Sequence, residues 1–337
     1  MSAYLGFIQQ ALFFGFVISM LLALLSHWLY PRLQNKLRNL SPAGQSGIVF
    51  LWSLFPLLAA LFIVVIALLP SLLEVLGISS DHCLGHPEGH LHFCLVHLHP
   101  AVNSLFIWIP ALAYLGMLLL ASLNILVDIC ETLRFKSRLD RFQPEAVEKG
   151  IFLLNSDTPM ALSIGLWRPQ IYLSSGLTDR LRQDEKEFVI RHERAHGQRR
   201  DALKKLLARS LSFAHFPATR RKLLSHLLLA NEQACDAQSL RNRQDKGRLA
   251  ELLIKIEKLY RGHFYSAGTL ASAINSPGNN VLAERVHHLL DDETTQATRL
   301  PLLLFSISIL SIGMLISHEL IHNELEHLMS LLATVIL

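Results

Sequence analysis

Four long apolar runs constrain this chain more than any other feature. Residues 11–25, 48–73, 101–127 and 301–316 are almost unbroken in hydrophobic character, in a chain of 337 residues that is 51% hydrophobic overall. A helix needs about 20 apolar residues to cross a bilayer, and it can do so because its backbone hydrogen bonds are all satisfied internally. The first three runs belong to stretches of that length, and the fourth, which ends before His318, is at the short end. The first run has no basic residues ahead of it and no small-residue cleavage site, so it predicts a retained helix over about Tyr4–Tyr30 rather than a signal peptide. The pattern predicts an integral membrane protein, mostly α, with four transmembrane helices.

The basic residues then set an orientation. Arg32, Lys36 and Arg38 lie in the first connection, and the other 28 of the 31 Lys and Arg fall between Arg134 and Arg299. The N-terminus, the loop 74–100 and the tail after Arg299 carry none. The positive-inside rule therefore predicts that both basic segments are cytoplasmic and that the loop and the tail face outward. The inner segment carries 28 basic against 20 acidic side chains, a surplus suited to anionic lipid head groups. DNA contact would be the rival reading. The charges are scattered on helices rather than grouped with aromatics, which argues against direct nucleic-acid binding.

The divisions that follow are residues 1–130, a three-helix membrane region with the outer loop 74–100; 131–300, a soluble domain large enough for its own core; 301–317, the fourth span; and 318–337, a short outer tail. Within the soluble domain a polar amphipathic stretch, 131–149, predicts a helix continuing from the third span. Ile151–Asn155 and Gln170–Ser174 have the β-branched and aromatic character of strands, separated by Pro159 and Gly165. From Arg182 the pattern predicts helices over 183–215, 219–243 and 247–261, a loop over Ser266–Asn280 and a last helix over 281–291. The domain is α+β, mostly helix with a small sheet.

His192-Glu193-Arg194-Ala195-His196 is an HExxH motif in the first of these helices. Four residues is close to one helical turn, so both imidazoles share a face and can reach one metal ion, with Glu193 placed to take a proton from a water beside it. Catalytic zinc wants three protein ligands and an open position. Glu232, 36 residues past His196 on a helix that can fold back, is the candidate third ligand, and Asp236 one turn further offers an orienting partner on the same face. Asp201 is the second candidate to orient a ligand imidazole; its alternative is an ion pair with Arg199 or Arg200. Cys130 and Cys235 face the reducing side and read as buried rather than reactive.

Together with the run Gly165-Leu166-Trp167-Arg168-Pro169-Gln170-Ile171-Tyr172-Leu173-Ser174, these residues resemble the BlaR/MecR membrane metallopeptidases. The resemblance covers nearly the whole chain and is strongest over 159–240, with a weaker echo over Leu282–Leu290. It implies a cytoplasmic, gluzincin-like zinc endopeptidase domain between the third and fourth spans, in the inner membrane of a bacterium. His192, His196 and Glu232 match the family's Zn2+ ligands and Glu193 its general base. Arg285 matches an arginine that approaches the catalytic site, and the strand Gln170–Ser174 matches the edge that would pair with an extended substrate. The implied partners are the bilayer, a protein substrate such as a winged-helix transcriptional repressor or the chain itself, and further copies in an oligomer. The antibiotic sensors of this family carry a penicillin-binding domain after the fourth span. The roughly twenty residues past that span here contain none, so the resemblance implies a different signal.

The outer face offers candidates for one. His82, Cys83, His86, His90, His92, Cys94, His97 and His99 crowd the loop 74–100. Imidazole and thiolate suit copper and zinc; the alternative is a Cys83–Cys94 disulfide with histidines that only solvate the loop. A second HExxH, His318 to His322, lies in the tail, where Glu324, Glu326 and His327 could complete a metal site on the same side. Fifteen residues follow it, too few to enclose a substrate. Two other readings stay open at this point: a quality-control membrane protease of the HtpX type, and a non-enzymatic metal receptor whose zinc is structural.

Overall fold

The computed structural model describes residues 2–78, 101–242, 244–267 and 279–291, with isolated positions between 313 and 327. The fourth span, the histidine-rich loop and the His318–His322 motif lie outside the described residues. Three helices, α1 (Ser2–Leu37), α2 (Pro42–Ala67) and α4 (Leu105–Arg141), are long and apolar enough to cross a membrane. A short α3 (Leu69–Val75) follows α2. Each long helix buries one stripe against the others, around Phe13, Phe14, Val64 and Ala111 in one cluster and Leu57, Tyr114 and Ala121 in another. The outward face of α4 exposes Phe106, Ile109, Leu112, Leu119 and Leu123, a surface suited to lipid rather than water.

The α1–α2 turn is sharp because Pro42 starts α2 with its φ already helical and Ser41 caps it, its hydroxyl accepting from the Gly44 amide at 3.4 Å. α4 ends at Arg141 rather than running on to residue 149 as the amphipathic pattern predicts. Pro144 lacks an amide hydrogen and disfavours helix at the residue before it; Gln143 accordingly leaves the helix with φ 47°. The chain then enters β1 (Glu145–Glu148), β2 (Ile151–Leu154), β3 (Ala161–Ile164) and β4 (Gln170–Ser174).

These four strands form one sheet in the order β1-β2-β4-β3, with β2 and β4 parallel and the outer pairs antiparallel. This corrects the sequence reading twice. Two further strands exist, and β4 is paired on both sides, so it cannot be the edge that receives a substrate. The outer strands are β1 and β3, and β3 is the one that lines the cleft over the HExxH helix. Gly165, at φ +123°, makes the β3–β4 turn; a side chain there would meet the Arg168 carbonyl at 2.6 Å. Tyr172 of β4 donates to Asp140 at 2.9 Å and ties the sheet to α4.

After a single turn, α5 (Ser175–Thr178), come α6 (Gln183–Arg199), α7 (Asp201–Leu211), α8 (Pro217–Ser239), α9 (Asp245–Ala267) and α10 (Asn279–Leu290). The core over β2 and β4 gathers Ile171, Leu173, Phe188, Val189, Leu249 and Leu252. α8 is wedged between α6 and the membrane hairpin. Leu223 and Leu227 pack with Tyr30, Leu37 and Val49 of α1 and α2.

Candidate metal centre

The HExxH segment is helical because α6 is closed at its start and packed along one stripe. Glu185 accepts from the Arg182 amide at 2.7 Å and also pairs with Lys255 of α9 at 2.7 Å, and its charge suits the helix N-terminus. Phe188, Val189 and Ala195 are buried, which turns the neighbouring face, His192 and His196, towards α8. Glu232 and Asp236, four apart on α8, meet them.

The geometry is compact. His192 and His196 bring their Nε2 atoms to 3.2 Å of each other. Glu232 lies 3.6 Å from each, and one ligand atom from each of the three residues falls within 4.8 Å of the others. Two nitrogens bound tetrahedrally to zinc at about 2.0–2.1 Å stand about 3.3 Å apart, so the imidazoles are already spaced for that ion. Their other nitrogens face carboxylates: His196 Nδ1 donates to Asp201 at 3.0 Å, and His192 Nδ1 lies 3.1 Å from Asp236. Such partners fix the tautomer that leaves Nε2 free for a metal.

The local charges agree. Burial works against a protonated imidazole at His192, yet Asp236 and Glu232 outweigh it and hold its pKa up at about 10; His196 is raised in the same way by Asp201 and Glu232. Burial would lift the Asp201 carboxyl, but His196, Arg199 and Lys204 hold it down at about 2. Glu232 and Asp236 are likewise held ionised, so all three carboxylates stay charged beside the two imidazoles, with Arg285 and Lys205 as further counter-charges near Glu232. A second donor group, His196, Asp201 and Cys235, also converges. It suits a metal less well. Asp201 is already neutralised by Arg199 at 3.3 Å and Lys204 at 3.0 Å, and burial drives the Cys235 thiol away from the thiolate a metal needs.

Arg285, expected beside the catalytic groups, comes from α10. It forks onto Asp236 at 2.7 and 2.8 Å and lies 3.3 Å from Glu232. Asp201 lies against the partners of both of its sequence readings, 3.0 Å from His196 and 3.3 Å from Arg199. Sequence reasoning passed over Asn231, Ser46, Lys205 and Tyr260. Tyr260 lines the cleft beside Glu193, its hydroxyl against the Ala161 amide. Nothing local marks the first three; Tyr260 could have been found as an aromatic at the end of an otherwise aliphatic stripe on α9.

A cleft of about 490 Å³ opens over this cluster, walled by Phe188, Val189, Leu252 and Ile256 on one side and by Ala161–Ser163 of β3 on the other. Gly197 lets the β3–β4 connection close over α6, since a Cβ there would stand 2.8 Å from Pro169.

Two imidazoles and a carboxylate on antiparallel helices, with a glutamate beside them and an open strand edge across a cleft, have the arrangement of a metallopeptidase site, in a chain that also carries three helices long and apolar enough to cross a membrane. The family described as BlaR1 peptidase M56 matches residues 106–289, and the chain belongs to it. No curated protein and no solved structure matches the chain.

Proposed function

We propose that this protein is a membrane-embedded zinc endopeptidase whose active site faces the cytoplasm. The observation that carries the reading is the convergence of His192, His196 and Glu232, each imidazole backed by its own carboxylate, on the floor of a cleft beside a free strand edge. Zinc held by these three residues would supply a Lewis acid towards a water and the scissile carbonyl. Glu193 takes the attacking water's proton and passes it to the leaving amine. Asp201 and Asp236 hold the two imidazoles in the right tautomer, and Arg285 positions Asp236 and Glu232. An extended segment of substrate adds to the open edge of β3, with an apolar side chain against Phe188, Val189 and Ile256.

The cytoplasmic placement rests on the distribution of Lys and Arg. Family membership supports a regulatory role, in which the substrate is a cytoplasmic repressor or the chain itself and the signal arrives from outside, copper or zinc at the His/Cys-rich loop being the chemistry its residues suit. The test uses the full chain in lipid nanodiscs and a proteome-derived peptide library, with cleavage sites read by mass spectrometry. Glu193→Gln should retain zinc and lose cleavage. A Glu193→Gln chain that cleaves as the unaltered one does would overturn the mechanism, and an unaltered chain that binds zinc but cuts nothing would favour a structural, receptor-like metal.

A further inference from the structure

Ser46 sits at the fifth position of α2, fully buried. A serine hydroxyl inside a helix usually bonds back to a carbonyl of its own helix, as Ser53 does about two turns further along α2, donating to the Phe50 carbonyl at 2.6 Å. Ser46 does otherwise. Its hydroxyl donates to Asn231 Oδ1 at 2.5 Å and accepts from Arg199 Nη2 at 3.0 Å. Asn231 precedes Glu232 on α8, and Arg199 is the last residue of the HExxH helix. The same guanidinium donates through Nε to Asp201 Oδ2 at 3.3 Å, the oxygen that accepts from His196 Nδ1 at 3.0 Å. Three hydrogen bonds therefore run from a membrane hairpin to the second nitrogen of a candidate zinc ligand. Every side chain on the path is at least five-sixths buried, so water is a poor substitute for any of them.

We propose that Ser46 is a positioning residue for His196, acting through Arg199 and Asp201, so that the fit of the α1–α2 hairpin against α8 sets the strength of the metal site. The proposal rests on the zinc peptidase reading and adds a regulator to it. Hydrogen bonds weaken steeply when their geometry is pulled out of range, so a shift of α2 along α8 by about 1 Å would release Arg199 and loosen Asp201. Orienting partners that touch a ligand directly are worth about 10–100-fold in metal affinity. Ser46 stands two links further back, and an effect of about 3–10-fold is expected on the same principle.

The experiment measures zinc affinity by chelator competition, and the visible spectrum of the cobalt-loaded protein, on the full chain in nanodiscs. Ser46→Ala should weaken zinc about 3–10-fold and alter the cobalt bands. Ser53→Ala, an equally buried hydroxyl on the same helix, should change neither. Arg199→Lys cannot span Ser46 and Asp201 together and should reproduce the Ser46→Ala shift; it carries the same test if the alanine variant does not fold. Because both act through one path, the double variant should be no weaker than the worse single variant. Unchanged zinc affinity in Ser46→Ala, or effects that multiply in the double variant, would overturn the proposal while leaving the metal site in place. A chain that binds zinc no better than its His196→Ala variant would remove the peptidase reading as well.

Discussion

Removing Arg285 gives the sharpest test of how the cluster is held. Its guanidinium approaches Asp236 in a parallel fork at 2.7 and 2.8 Å, the stronger of the carboxylate geometries, and Asp236 has no exposed surface. The only other described partner of that carboxylate pair is His192 Nδ1 at 3.1 Å. Arg285→Met keeps most of the packing volume and deletes the charge. Breaking a buried pair from one side costs about 3–5 kcal/mol, because the remaining ion is left uncompensated. Set against a total stability of about 5–15 kcal/mol, that is a large share. For a domain of this size it corresponds to a fall of roughly 6–20 °C in the unfolding midpoint. Adding Asp236→Asn removes the stranded charge while leaving an acceptor for His192, and should recover more than half of the loss. The measurement is thermal unfolding of the metal-stripped chain in nanodiscs, followed by dye labelling of the buried Cys235. A single variant within about 1 kcal/mol of the unaltered protein, or a double variant no better than the single, would refute the neutralising role.

Three further outcomes follow from the same geometry. In the metal-stripped chain the His192 pKa is raised, so its contribution to stability is complete below 6.5 and is lost as the pH climbs towards about 10; zinc affinity runs the other way, falling as acid protonates the imidazoles. A stripped chain that gains stability between pH 7 and 9 would contradict this. Gly197→Ala should push Pro169 and the β3–β4 connection outward, at a cost of about 1–3 kcal/mol, lowering peptide cleavage while zinc content is unchanged. A phosphatase reporter active only outside the membrane should be silent when fused at Gly247 and active at Gly89; the reverse would place the catalytic domain outside.

What the sequence revealed divides along the range of the interactions involved. The pairs His192–His196 and Glu232–Asp236 are each four apart, so helix geometry alone puts each pair on one face, and the need for a third ligand joined them. The break between α6 and α7 was invisible. The sequence runs Arg199-Arg200-Asp201 with no glycine or proline, and Arg200 takes the left-handed conformation at φ 54°. What holds it there is Asp201, fastened to His196, Arg199 and Lys204, contacts that exist only once the domain is folded. β1 was missed because Glu145–Glu148 is fully exposed and half acidic, which gives no alternation to detect. The wrong edge was chosen because strand order depends on which strands meet across the domain. β4 carries the most strand-like residues, and for that reason it lies in the middle. Ser46 could not have been singled out, since a serine in an apolar helix looks the same whether it bonds to its own backbone or to another helix.

The packing of α8 against the membrane hairpin also bears on how the enzyme is made. One face of α8 carries Glu232 and Asp236; another, with Leu223 and Leu227, is covered by Tyr30, Leu37 and Val49. The hairpin, complete at Ala67, leaves the ribosome about 150 residues before the helix that docks on it begins at Pro217. A chain that reached the cytosol without inserting would leave that apolar face bare and the Ser46 link unmade, so its ligands would be poorly gathered. On the proposed reading, a stray, uninserted copy is expected to be both inert and a ready substrate for degradation.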